Sequence, residues 1–164
     1  MITTARLTLR RARADDLEDM YRVFSNPDAM RYWDTLPHTD VSQTEDFLQR
    51  MIAAPEDASD DFIIERDGRA IGKGGCWRIA EVGFILHPDH WRQGIGFEAL
   101  SAAIPHAFET LPIDHLTAEA DPRNTGSLTL LNRLGFVETG RESNTIKVGD
   151  EWCDSVYLRL ERPD

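Results

Sequence analysis

Polar and apolar residues alternate through Arg6-Leu7-Thr8-Leu9-Arg10, the two-residue period of a half-buried strand. The period then lengthens. Leu17, Met20, Tyr21 and Phe24 recur at helical spacing behind Asp15, with Glu18 three residues on as a capping box, and Ser25-Asn26-Pro27 should end that helix. A second helix is expected from Ser42, with Glu45 completing its cap, Phe47, Leu48, Met51 and Ile52 on its apolar face, and Pro55 just past its end. The aromatic-rich stretch Met30 to His38 joins the two.

The middle of the chain reads as strands. Phe62 to Arg66 runs to a turn at Asp67-Gly68, a strong hairpin signal, Ala70 to Trp77 returns, and Ala80 to Leu86 follows. Trp91 to Gly96 then leads into a helix with Phe97, Leu100, Ile104 and Phe108 inward, which Pro105 should kink or shorten. His115 to Ala120 is a strand. Because a helix separates it from the strand ending at Leu86, the two can be parallel neighbours joined by a right-handed crossover. A helix from about Thr125 to Leu134, closed by Gly135, and a hairpin of Thr145–Val148 and Trp152–Leu160 around Gly149-Asp150 complete the chain. The expected class is α/β (α+β): one domain over residues 1–164 with a mixed, mostly antiparallel central sheet, helices on both faces and one parallel pair in the middle.

Composition narrows the function. A length of 164 residues suits one domain with a real core. The net charge of −11 argues against binding nucleic acid through phosphate contacts. It weakly favours a cationic partner such as an amine or a basic peptide, and solubility alone is the preferred reading. No apolar run approaches a bilayer span, and Met1 to Arg11 lacks the apolar block of a secretory signal. Cys76 and Cys153 form neither a disulfide framework nor a metal-ligand pair. A cytoplasmic protein with no membrane partner and no metal is expected.

The candidate chemistry lies between the two central strands. A strand, then Arg92-Gln93-Gly94-Ile95-Gly96, then a helix is an arrangement that binds phosphate: glycines let backbone approach a ligand, and the helix start offers free N–H groups and a favourable dipole. It is not a dinucleotide fingerprint, since Ala99 stands at the third glycine position, and no Gly-Lys-Ser/Thr follows to make a P-loop. Gly72-Lys73-Gly74-Gly75 falls on a strand with no helix behind it and reads as close backbone packing. There is no Gly-x-Ser-x-Gly elbow and no His-Glu-x-x-His.

Ile85 through Leu100 resembles the acetyl-CoA signature of the GNAT superfamily of N-acetyltransferases, with Trp91 at a position usually held by Gln or Arg. Asp121-Pro122-Arg123-Asn124-Thr125-Gly126-Ser127, ending in Leu134-Gly135-Phe136, resembles its second motif. Arg6 to Arg10 and the stretch from Asn26-Pro27 to Trp33 are similar to the branch containing the ribosomal-protein N-terminal acetyltransferases. The resemblance implies that the parallel strands splay and admit the pantetheine arm of acetyl-CoA. Backbone groups near Phe84, Ile85 and Leu86 would pair with that arm and polarise the thioester carbonyl, an oxyanion-hole role. Arg92, Gln93, Gly94, Ile95, Gly96 and Phe97 would hold the pyrophosphate, with Asn124, Ser127 and Asn132 on the far side.

The implied reaction is direct attack of a neutral primary amine on the thioester, the amine belonging to a protein or peptide N-terminus or to a small molecule. Glu81 is the first candidate for the base that takes its proton. Leu131 stands where many relatives carry a tyrosine that protonates the leaving thiolate, which leaves Ser127 as the candidate hydroxyl. Tyr32, Trp33, Asp34, His38 and Trp77 are candidates for the acceptor side, and aromatics there also serve as core. The competing class is a non-catalytic acyl-CoA sensor that keeps the cofactor loop without turnover. Both a monomer and a homodimer fit.

Overall fold

In the computed structural model, which describes residues 1–164, eight strands form one sheet in the order β1-β2-β3-β4-β5-β6-β8-β7. They are β1 (Ile2–Thr3), β2 (Thr8–Arg10), β3 (Asp60–Arg66), β4 (Arg69–Arg78), β5 (Glu81–Leu86), β6 (His115–Ala120), β7 (Val137–Val148) and β8 (Glu151–Glu161). Every neighbouring pair is antiparallel except β5–β6, which is parallel. The helices are α1 (Leu17–Phe24), α2 (Val41–Ala53), α3 (Ile95–Thr110) and α4 (Thr125–Arg133).

The two faces of the sheet carry separate cores. Leu100, Ile104 and Phe108 of α3 and Leu131 of α4 pack on Leu116, Ala118, Val156 and Leu158. On the other face, Met20, Val23 and Phe24 of α1 and Leu48 of α2 cover Ile63, Ala70 and Ile85. Since Leu116 and Ala118 face α3, alternation turns Thr117 and Glu119 to the opposite side, where they line a shallow depression with Tyr157 and Arg159.

Local chemistry accounts for most element ends. Asp67 (φ 51°) and Gly68 (φ 79°) both adopt the positive φ of a type I′ hairpin turn. Other ends differ from expectation. A short 3₁₀ turn, Ala14–Asp16, precedes α1, and the capping carboxylate is Asp16 rather than Asp15: it accepts the Arg13 N–H at 2.8 Å and pairs with Arg10 at 2.7 Å. The box on α2 is Asp40 with Gln43, not Ser42 with Glu45. Asp40 accepts the Ser42 N–H at 2.8 Å, and Gln43 accepts the Asp40 N–H at 3.0 Å. Ile52, expected on the apolar face of α2, is exposed.

Pro105 does not shorten α3. Its missing N–H frees the carbonyl of Ser101, which lies on the exposed side of the helix where water can serve it. β7 begins at Val137, well before Thr145, because two register shifts against β8 break the alternation that would have revealed it. The glycines of β4 are the close packing expected of them. A Cβ on Gly72 would lie 2.1 Å from the Ile85 carbonyl oxygen, and one on Gly75 2.4 Å from that of Asp60.

Candidate active site

β5 and β6 pair at a single position, Glu81 with Thr117, where the Thr117 N–H also donates to the Ala80 carbonyl at 2.8 Å. Beyond it the strands part. The His87 N–H donates across to Ile71 of β4, so two-residue alternation turns the peptide of Ile85 toward β4 and those of Phe84 and Leu86 into the gap. These gap-facing groups have no strand partner and need one from elsewhere. Trp91 supplies part of it: its indole Nε1–H donates to the Leu86 carbonyl at 3.0 Å. The N–H and C=O of Phe84 and the N–H of Leu86 are left for a ligand.

A cleft of about 780 Å³ fills this gap. Its floor is Phe84, Ile85 and Leu86; its ends are the start of α3 and one face of α4; its inner rim is Arg31, Tyr32 and Trp33 from the loop after α1. Gly94 caps α3 in the left-handed region (φ 74°), which aims the unpaired N–H groups of the first turn at the cleft. Gly96 lets α3 approach α4, since a Cβ there would lie 3.1 Å from Leu130 Cδ2. Asn124 caps α4 by accepting the Ser127 N–H at 3.2 Å, and Ser127 lines the cleft.

Electrostatics single out the same place. In a chain of net charge −11, the residues lining the cleft include four arginines, Arg31, Arg92, Arg123 and Arg133, against one carboxylate, Asp28. With a helix N-terminus beside them, Arg31, Arg92 and Arg133 suit a polyphosphate ligand, whereas Arg123 is already paired with Asp121 and Glu151. The Arg133 guanidinium lies over the Phe97 ring, 4.4 Å from its centre.

The cleft therefore gathers Tyr32, Trp33, Phe84, Ile85, Leu86, Arg92, Gly94, Ile95, Gly96, Phe97, Asn124 and Ser127. Other candidates lie elsewhere. The side chain of Gln93 donates to the Asp89 carbonyl at 2.9 Å and accepts from Arg66 at 2.9 Å, so it shapes the loop instead of facing the cleft. Asn132 is exposed outside it, and so is Asp34. His38 bonds Thr44 at 2.7 Å and stacks on Phe24; burial, aided by the charge of Arg50, lowers its pKa, as befits a packed imidazole. Leu131 is buried in the main core. Glu81 and Trp77 lie outside the cleft. The Glu81 carboxylate accepts from Arg78 at 2.9 Å and from Trp77 Nε1 at 3.2 Å, and it lines the depression on the α1/α2 side of the sheet, next to the closed end of the gap. Sequence reasoning missed Arg31, Arg123 and Arg133. For Arg133 a signal existed: Gly126, Thr129 and Arg133 share one helical face at i, i+3 and i+7.

A sheet opened at one parallel pair, with a glycine-capped helix start in the opening, defines an acyl-CoA N-acyltransferase fold. A family model described as an acetyltransferase (GNAT) domain matches residues 6–137, and the chain belongs to that family. It is 33% identical over 146 residues to the uncharacterized N-acetyltransferase p20 of Bacillus licheniformis, covering 84% of this chain and 82% of that one. It is 32% identical over 90 residues to the [ribosomal protein uS5]-alanine N-acetyltransferase of Escherichia coli, covering 55% of this chain and 46% of that one. Among solved structures it resembles RimL, a ribosomal-protein alpha-N-acetyltransferase in complex with coenzyme A (TM-score 0.87, 17% identity, 98% and 96% of the two chains). It also resembles a spermidine N-acetyltransferase of Vibrio cholerae in complex with CoA and spermine (TM-score 0.82, 21% identity, 96% of each chain).

Proposed function

We propose that this acetyltransferase moves the acetyl group of acetyl-CoA to a primary amine, of a protein or peptide N-terminus or of a small molecule, by direct attack on the thioester. One observation carries the reading: unpaired strand peptides at Phe84 and Leu86, the free helix start at Gly94 and four arginines converge on one cleft. The relatives named for amine substrates support the same chemistry.

The residues divide the work. Gly94 to Phe97 and Arg92 hold the pyrophosphate, with Arg133 beside them. A Phe84 or Leu86 N–H polarises the thioester carbonyl. Ser127 supplies a hydroxyl near the leaving sulfur, whose ordinary pKa of ~8.5 already makes it a fair leaving group. Tyr32 and Trp33 form the wall past which the amine enters. Glu81, at the last paired position of the strands, takes the amine proton through water in the gap.

Thermal unfolding with and without acetyl-CoA, with ATP and NAD as controls, tests this. A ligand at about 100 times its Kd adds ~2.7 kcal/mol of stability. Acetyl-CoA alone should raise the midpoint, and Gly94→Asp should abolish the rise. Release of free thiol in the presence of an amine panel then separates an enzyme from a sensor, which would bind without turnover. No shift with acetyl-CoA at high concentration would sink the proposal.

A further inference from the structure

The loop between α1 and α2 carries Tyr32 and Trp33 to the cleft, yet it contains no regular structure long enough to hold itself. Met30 and Trp33 pack it onto α1 and α2, whereas Tyr32 meets the opposite wall. The Arg123 guanidinium sits over the Tyr32 ring, 5.5 Å from its centre, with Arg31 at 5.1 Å. Arg123 is itself unusually fixed. Its backbone N–H and Nε donate to one oxygen of Asp121 at 2.8 and 3.0 Å, and Nη2 donates to the other at 2.8 Å. Nη1 donates to Glu151, at the start of β8, at 2.7 Å. Asp121 is buried, so the fork is anchored to the body of the protein. The turn before β8 touches the same loop: a Cβ on Gly149 would lie 3.2 Å from Leu36.

Arg123 also immediately precedes Asn124, the cap of α4, and Ser127 follows one turn on. The group that fixes Tyr32 therefore belongs to the segment that lines the donor side. Resting on the reading of this cleft as an acetyl-CoA site, we propose that Arg123 is a positioning residue: its Asp121-locked guanidinium holds Tyr32, and with it the acceptor loop, against the donor cleft. Filling that cleft then orders the loop that receives the amine. Arginine suits the task because its planar fork bonds a carboxylate along one edge and still offers a flat face to an aromatic ring; lysine offers neither.

Amide hydrogen exchange of peptides covering residues 26–40 tests this in wild type, Arg123→Lys, Tyr32→Phe and Tyr32→Leu, each with and without acetyl-CoA. Acetyl-CoA affinity is measured in parallel by calorimetry. Loss of one aromatic–guanidinium contact should speed exchange of that segment by about tenfold in Arg123→Lys and Tyr32→Leu. Acetyl-CoA should slow it in wild type and no longer in those two variants. Tyr32→Phe, which keeps the ring, should behave as wild type in both exchange and acetyl-CoA affinity. Unchanged exchange in Arg123→Lys overturns the proposal. So does a Tyr32→Phe variant that behaves like Tyr32→Leu. Should Arg123→Lys fail to fold, Tyr32→Leu against Tyr32→Phe decides alone. If acetyl-CoA binds none of the proteins, the proposed function falls, while the ligand-free comparison still decides the clamp.

Discussion

Arg6 and Glu98, 92 positions apart in the chain, form an ion pair at 2.8 Å. The same guanidinium donates to the Gln93 carbonyl at 2.8 Å, and Thr4 donates to the Glu98 carboxylate at 2.6 Å. The segment after β1 thus fastens both sides of the turn that opens α3. Burial pulls the Glu98 carboxyl upward, but the bonds from Thr4 and Arg6 outweigh it and leave the group below its ordinary value. Arg6 is partly exposed, so its loss should cost only about 1 kcal/mol, or ~2–4 °C in midpoint for a chain of this size. The larger effect of Arg6→Ala should fall on acetyl-CoA affinity, read by calorimetry, because the turn proposed to hold the pyrophosphate loses its outer strap. Unaltered affinity would show that the turn holds its shape alone.

Two glycines should fail in different ways. At Gly94 (φ 74°) the nearest atom to an added Cβ is Arg6 Nη2 at 3.5 Å, so space exists and the penalty is conformational. Gly94→Ala should cost about 1–2 kcal/mol of stability and weaken acetyl-CoA binding. At Gly72 the obstacle is a backbone oxygen at 2.1 Å, which cannot move without parting β4 from β5. Gly72→Ala should cost about 3 kcal/mol or more. Urea unfolding of both variants checks the order, and acetyl-CoA titration of Gly94→Ala checks that its loss is functional.

What was legible in the chain follows from the range of each interaction. The strand to Leu86, the glycines at 94 and 96, the parallel partner at His115 and the helix from Thr125 closed by Gly135 are local patterns, and the structure has all of them. Trp77 was a candidate for the acceptor side, and a register shift between Cys76 and Arg78 turns it across β5 onto Gly83, outside the cleft, and brings Arg78 to Glu81. No two-residue period announces that bulge. The arginines at the cleft were hidden for another reason. Arg123 meets Tyr32 only because the sheet order brings β6 beside β5, a contact spanning most of the chain.

Acid should loosen the Arg123 anchor. The hydrogen bond from Arg123, chiefly, holds the Asp121 carboxyl below its ordinary value despite burial. A depressed folded pKa contributes stability above the unfolded value of ~3.9 and loses it as pH falls through the folded one. Wild type should therefore exceed Asp121→Asn in thermal midpoint at pH 7. The gap should persist to about pH 4 and close below it. A gap that stays constant down to pH 2.5 would mean that the carboxylate charge is not what the bond depends on.

The two cysteines bear on whether an acetyl-cysteine intermediate could carry the reaction. Cys76 is buried in β4, and burial, together with the nearby carboxylates of Asp61 and Asp60, pushes its thiol up to about 12. Its Sγ–H donates to the Arg78 carbonyl at 3.1 Å. At pH 8 the thiolate fraction of such a group is on the order of 10⁻⁴, too small for a nucleophile. Cys153 lies partly exposed in β8, outside the cleft. Iodoacetamide at pH 8 should label Cys153 in the native protein and Cys76 only after denaturation, as mass spectrometry of the two peptides would read. With acetyl-CoA present and no amine, neither peptide should gain an acetyl group under the direct attack proposed above. An acetylated Cys76 or Cys153 peptide that disappears on adding an amine would instead establish a two-step transfer and displace direct attack.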